Sequence, residues 1–165
     1  MPVVVSDTSP IRALALLERI PLLNALFADV RVPPAVVQEL AQPRIGPVVR
    51  AEQLVGIAIQ APQDRGRVAD LRRRVDAGEA EAIALALEVR AERILIDDKA
   101  GRGVAAELHL PFSGTLALLV LAKHSGLVDA VRPMIDRLRA ELNFYMDDGL
   151  EHTILRQAGE DSSSD

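Results

Sequence analysis

Val3-Val4-Val5-Ser6-Asp7-Thr8-Ser9-Pro10 decides the fold. Three consecutive apolar residues with no polar alternation read as a short strand covered on both faces. Ser6 to Ser9 then supply turn and cap residues, and Pro10 fits a first helical turn. A buried strand running straight into a helix is the opening of a parallel α/β unit. The same grammar recurs at Arg93–Ile96, where Ile94-Leu95-Ile96 ends in Asp97-Asp98 before a helix predicted over Lys99–Leu108.

Working outward, Val30–Val32 reads as a second strand, stopped by Pro33-Pro34, with a helix over Ala35–Ala41 whose first turn tolerates Pro34. Ile57–Ile59 is a further short strand. Helices are expected at Ile11–Arg19, Pro21–Ala28, Pro47–Leu54, Asp64–Ala77, Glu79–Ala91, Thr115–Ser125 and Val128–Leu142, with Pro111–Gly114 as a loop. Val68, Leu71 and Val75 give the Arg-rich Asp64–Ala77 segment one apolar stripe. Helices alternating with short apolar strands predict an α/β fold, three-layer α/β/α around a central parallel sheet. The 165 residues fit one domain, expected over 1–156, with 157–165 as a disordered tail.

Composition removes several chemistries. The absence of Cys excludes disulfides, thiolate metal sites and cysteine nucleophiles. With no Trp, one Tyr and three Phe, an aromatic platform like that of sheet-based RNA binders is not expected. A net charge of −5 argues against a general nucleic-acid coat, though not against an enzyme that grips phosphate through a cation. No stretch has the length of a bilayer span without charge, so no membrane partner is expected. The start of the chain lacks the basic and cleavage regions of a signal peptide, and a cytoplasmic setting is the expectation.

The acids carry the functional signal. In parallel sheets ligands bind beyond the carboxyl ends of the strands, where Asp7, Asp97 and Asp98 fall. Glu39 sits in the apolar Val36-Val37-Gln38-Glu39-Leu40 helix, and Glu79 and Glu81 open the helix after Gly78. Taken singly, each has an ordinary reading: Asp7 and Asp97-Asp98 as turn or cap residues, Glu79 and Glu81 as dipole partners, Glu39 as a solvated helix residue. Taken together, carboxylates converging on one crevice repel one another unless a cation neutralises them. The joint reading is a divalent-metal site.

The ordered set resembles the PIN-domain nucleases, in the branch of the VapC-type toxins. It comprises Ser6-Asp7-Thr8-Ser9-Pro10, Val36–Leu40, Gly78-Glu79-Ala80-Glu81-Ala82-Ile83-Ala84-Leu85-Ala86, Ile94–Arg102, and Ser113-Gly114-Thr115-Leu116 leading to Ala122–Leu127. It covers about residues 3 to 150; the order of the pieces, more than any one of them, is specific. The resemblance implies a PIN-like fold and a catalytic set drawn from Asp7, Glu39, Glu79, Asp97 and Asp98. Asp7, Glu79, Asp97 and Asp98 would serve Mg²⁺ or Mn²⁺. Either Glu79 or Glu81 fills the third acidic position, with Glu79 preferred because Ala84-Leu85-Ala86 then falls at the family's offset. Ile96 stands where the family carries a polar residue two positions before its fourth acid, which leaves both Asp97 and Asp98 in play. Thr8, Ser9, Arg12 and Arg102 are the implied substrate contacts.

The implied activity is metal-dependent hydrolysis of RNA, leaving a 5′-phosphate and a 3′-hydroxyl. Two divalent ions suffice to activate water and steady the leaving oxygen. The implied partners are RNA, an antitoxin protein that could place an Arg among the carboxylates, and a second copy in a homodimer. Arg65, Arg67, Arg72, Arg73 and Arg74 are a candidate basic rim or a solvated helix face. His109, His124 and His152 lack ligand spacing and read as structural or exposed. The alternative is a catalytically inactive PIN-like domain that binds RNA or protein. A phosphotransferase using a covalent aspartate is weaker, since no second acid stands two residues after Asp7. A dinucleotide fold is weaker still, for lack of a Gly-rich turn.

Overall fold

The computed structural model describes residues 2–160. Five strands form one all-parallel sheet: β1 (Val3–Ser6), β2 (Asp29–Val32), β3 (Ile57–Ile59), β4 (Arg93–Leu95) and β5 (Phe112–Ser113), in the order β3-β2-β1-β4-β5. β1 is central, with Val4 opposite Val30 on one side and Val5 opposite Ile94 on the other.

Alternation along these strands splits the interior into two cores. Val4 and Leu95 face one, packed with α1 (Thr8–Leu16), α2 (Leu22–Leu26), α7 (Thr115–His124), α8 (Arg132–Leu142) and α9 (Asp148–Gln157). Val5, Ile94 and Ile96 face the other, packed with α4 (Arg65–Leu71), α5 (Ala77–Glu88) and α6 (Lys99–Glu107). The short α3 (Pro34–Leu40) packs on both α1 and α5. The result is the expected three-layer α/β/α arrangement. Residues buried on both faces explain why β1 and β4 read as unbroken apolar runs.

Three expectations are corrected and one element is added. Pro47–Leu54 is not a helix; only Ala51–Gln53 forms a 3₁₀ turn. Arg12 donates to the Pro47 carbonyl at 2.7 Å, which a helix would pair with the N–H four residues on, and the Val49 N–H donates to the Leu40 carbonyl at 2.8 Å, which ties the segment to the end of α3. The Pro111–Gly114 loop contains strand β5; the carbonyls of Pro111, just before it, and of Ser113, within it, accept the N–H groups of Ile94 and Ile96. The Asp64–Ala77 helix stops at Leu71, and α5 starts anew at Ala77 with Asp76 capping it through the Glu79 N–H at 2.9 Å. The added element is α9, which begins at an Asp147 cap whose side chain accepts the Leu150 N–H at 2.7 Å.

Beyond α9, Glu160 accepts the Val131 and Arg132 N–H groups and pairs with Lys123 at 3.0 Å. Residues 161–165 of the expected tail lie outside the described residues.

Candidate active site at the carboxyl ends of the strands

Because all strands are parallel, Asp7 after β1 and Asp97-Asp98 after β4 emerge at one end of the sheet. The Asp7 N–H donates to the Leu95 carbonyl at 2.9 Å, which locks the two strand ends together. A cleft of about 810 Å³ opens there, lined by Asp7, Glu39, Asp76, Glu79, Asp97 and Asp98. All five acids expected at the site are thus brought together, along with a sixth.

Asp7 occupies the N-cap position of α1, yet its side chain makes no cap hydrogen bond. It is 4% exposed, and Oδ1 is buried with no partner. Glu79 is likewise buried and its Oε2 has no partner. Burial pushes the Asp7 carboxyl up to about 8; the Thr8 N–H opposes this, and the charges of Asp76, Glu39 and Asp97 reinforce it. Burial, the hydrogen bond and charge of Asp76, and the charges of Asp7 and Asp98 push Glu79 up to about 9.

The other acids are held by hydrogen bonds. Glu39 Oε2 accepts the Thr8 hydroxyl at 2.6 Å and Oε1 accepts the Gly78 N–H at 2.9 Å, so it ties α1, α3 and α5 together. Asp97 Oδ1 accepts the Thr115 N–H at 2.7 Å, and Oδ2 accepts the hydroxyls of Thr115 at 2.6 Å and Ser9 at 3.0 Å. Asp98 caps α6 through the Ala100 and Gly101 N–H groups at 3.0 and 3.3 Å. Gly101 lets α6 come close: a Cβ there would stand 2.7 Å from Glu79 Oε2 and would also overlap Ile96. Ile96 itself is fully buried, so the position that departs from the family pattern serves the core.

Glu81 faces elsewhere. Its Oε1 accepts the Ala35 N–H and its Oε2 pairs with Arg65, each at 3.0 Å, outside the acidic cleft. Asp76 was not singled out in the sequence, although Asp76-Ala77-Gly78-Glu79 has the spacing of an acidic helix cap, the signal by which it could have been found.

Among the basic residues, Arg12, Arg44 and Arg102 line the cleft. Arg12 is buried, and its two terminal nitrogens hold the Pro47 and Glu39 carbonyls at 2.7 Å. Arg102 donates from Nε to the Ile96 carbonyl at 3.0 Å and lies 5.4 Å over the Phe112 ring. None of the five arginines between 65 and 74 lines this cleft, and Arg74 is paired with Glu107 at 2.6 Å. His124 contacts the Gln157 carbonyl at 2.7 Å, away from the acids.

A family model described as a PIN domain matches residues 3–160. The chain belongs to the PIN-domain family. Comparison with curated proteins gives no match. Membership supports a nuclease-like role for this PIN domain, and its acids stand at the sheet end where the expected site lies. Among the described residues no three His, Asp or Glu side chains already stand in ligand geometry, and no helix is long and apolar enough to cross a membrane.

The donor set of this PIN domain nevertheless fits a hard divalent cation. Two buried carboxylate oxygens without partners are costly, and oxygen-only acids are what Mg²⁺ or Mn²⁺ takes.

Proposed function

We propose that this PIN domain is a divalent-metal-dependent endoribonuclease. The observation that carries the reading is the pair of unpartnered, buried oxygens, Asp7 Oδ1 and Glu79 Oε2, in residues of one acidic cleft. Asp7 and Glu79 would hold Mg²⁺ or Mn²⁺, with Asp97 and Asp98 completing the set. The ion, when bound, would supply an activated water and charge stabilisation for the phosphodiester. Glu39, fixed by Thr8 and Gly78, orients the helix that carries Glu79. Ser9 and Thr115 fix Asp97. Arg12 braces the Glu39 helix and the Pro47 segment. Arg102 and Arg44 flank the acids and offset their repulsion of an incoming phosphate.

The motif order resembles that of VapC-type toxins, and this supports a toxin of a toxin–antitoxin pair acting on cytoplasmic RNA, as a homodimer neutralised by an antitoxin. A second reading, an inactive PIN-like binding domain, is favoured by one observation: among the described residues the acids are not prearranged as a ligand set.

The experiment that decides is cleavage of an RNA panel including tRNA, with Mg²⁺, Mn²⁺ or EDTA, by protein freed of co-purifying partners and by Asp7→Asn. Metal-dependent cleavage lost in the variant supports the nuclease. A folded protein that neither cuts nor binds metal in calorimetry is the inactive form.

A further inference from the structure

One Tyr and three Phe are the whole aromatic content of the chain, and two of the four, Phe144 and Tyr145, line the acidic cleft. They stand on the connection between α8 and α9, opposite in chemistry to the carboxylate floor. Phe144 packs partly against the core, and its N–H donates to the Leu138 carbonyl at 3.2 Å. Met146 is buried, and its carbonyl accepts Arg139 Nη2 at 2.9 Å. Arg139 is itself held by Glu151 at 2.7 Å. Asn143, with φ of 51°, turns the chain out of α8. The backbone is therefore held on both sides of Tyr145, while the residue itself is 85% exposed. An unburied ring on an anchored stretch of backbone in a concave site offers its face for stacking.

We propose that Tyr145 is the stacking platform for one nucleobase of single-stranded RNA, with the exposed Arg44 of the same cleft taking an adjoining phosphate. This rests on the ribonuclease reading. A carboxylate accepts at most from an amino or imino edge of a base, whereas an aromatic face stacks on any base, and the two share one cleft. A base resting on Tyr145 thus positions its phosphate toward the acids, and selection among RNAs would follow from exposed single strands rather than from a base-edge code.

Tyr145 is the sole Tyr in a chain without Trp, so intrinsic emission reports on this ring alone. Asp7→Asn protein is titrated in Mg²⁺ with a short single-stranded oligoribonucleotide and with an abasic strand of the same length. Emission is corrected against free N-acetyltyrosinamide in the same solutions. The expected result is a fall in emission with the base-bearing strand only. In the same background Tyr145→Ala should bind that strand about tenfold more weakly, the size of one base–aromatic stack, and Tyr145→Phe should bind like its parent. In the otherwise native chain Tyr145→Ala should raise KM more than it lowers kcat. RNA that binds equally to Tyr145→Ala without changing Tyr145 emission in its parent would overturn the platform and leave the nuclease standing. Equal quenching by the abasic strand would also overturn it. Failure of the native chain to bind or cut any RNA would overturn both readings.

Discussion

The Gly78 N–H donates to Glu39 Oε1 at 2.9 Å, and a Cβ at position 78 would stand 2.5 Å from Glu39 Oε2. Helix propensity alone says that Ala should stabilise α5 by about 1 kcal/mol. The contact says the opposite, because Glu39 would have to leave both the Gly78 N–H and the Thr8 hydroxyl. Gly78→Ala is therefore expected to lower the thermal midpoint and to cut RNA cleavage at least about tenfold through the displaced α3–α5 pair. Gly103→Ala, in α6 with nothing within 4 Å of its Cβ, should instead be neutral or stabilising by up to about 1 kcal/mol. Thermal unfolding of the two variants side by side checks the contrast.

The pH dependence of the metal-free protein follows from Asp7 and Glu79. In the folded chain they titrate near about 8 and about 9, against 3.8 and 4.5 for ordinary carboxyls. Between those limits the folded state binds more protons than the unfolded state, so stability falls as pH rises. The contribution is complete below about pH 4 and gone above about pH 9. For Asp7 it is on the order of several kcal/mol. In EDTA the thermal midpoint should drop between about pH 4 and about pH 9, and divalent metal should restore it most at the alkaline end. Asp7→Asn should flatten the EDTA profile. A flat profile in the native chain would show that folding raises neither carboxyl, and would overturn the argument from their burial.

Much of this was legible because it is local. β1 and β4 show as apolar runs ending in acids, and parallel topology then forces those acids to one edge. What the sequence hid is long-range. Glu39 reads as a solvated helix residue, and its two partners lie 31 and 39 positions away. β5 has two residues and exists only through β4, so no apolar run announces it. The 47–54 segment has helix-forming residues, yet distant Arg12 captures its backbone. Asp76 is hidden because the apolar spacing of Val68, Leu71 and Val75 runs on past the end of α4 to the cap of α5. Four aromatic residues argue against a sheet platform, and composition could not say that two of them meet in a cleft.

Thr115 tests how firmly Asp97 must be held. The residue is fully buried and supplies two of the three hydrogen bonds to Asp97. Thr115→Val keeps the shape and the backbone N–H but loses the 2.6 Å hydroxyl bond. A loss of about 1–3 kcal/mol is expected, since the acceptor is a carboxylate. Ser9→Ala removes an exposed bond and should cost less. Denaturant unfolding gives the stabilities; a larger loss for Ser9→Ala would reverse the order argued from burial.

Glu79 and Glu81 offer the sharpest separation, because two acids two positions apart do opposite things. Glu81 accepts the Ala35 N–H and pairs with an Arg65 side chain that is 60% exposed. Glu81→Gln gives up mainly the surface pair, worth at most about 1 kcal/mol. Glu81→Ala also strands the buried Ala35 N–H, at about 1–3 kcal/mol. Neither should change the metal-induced rise in thermal midpoint. The Glu79 side chain has an oxygen with no partner and stands among Asp7, Asp76 and Asp98, so Glu79→Gln relieves repulsion. That variant should equal or exceed the native chain in EDTA at about pH 9, while losing the metal response and cleavage. Calorimetric metal titration beside thermal unfolding reads both axes. If Glu81→Ala abolished metal binding while Glu79→Gln kept it, the third acid of the centre would be Glu81 and the cleft would have to be rebuilt around the Arg65 side of α5.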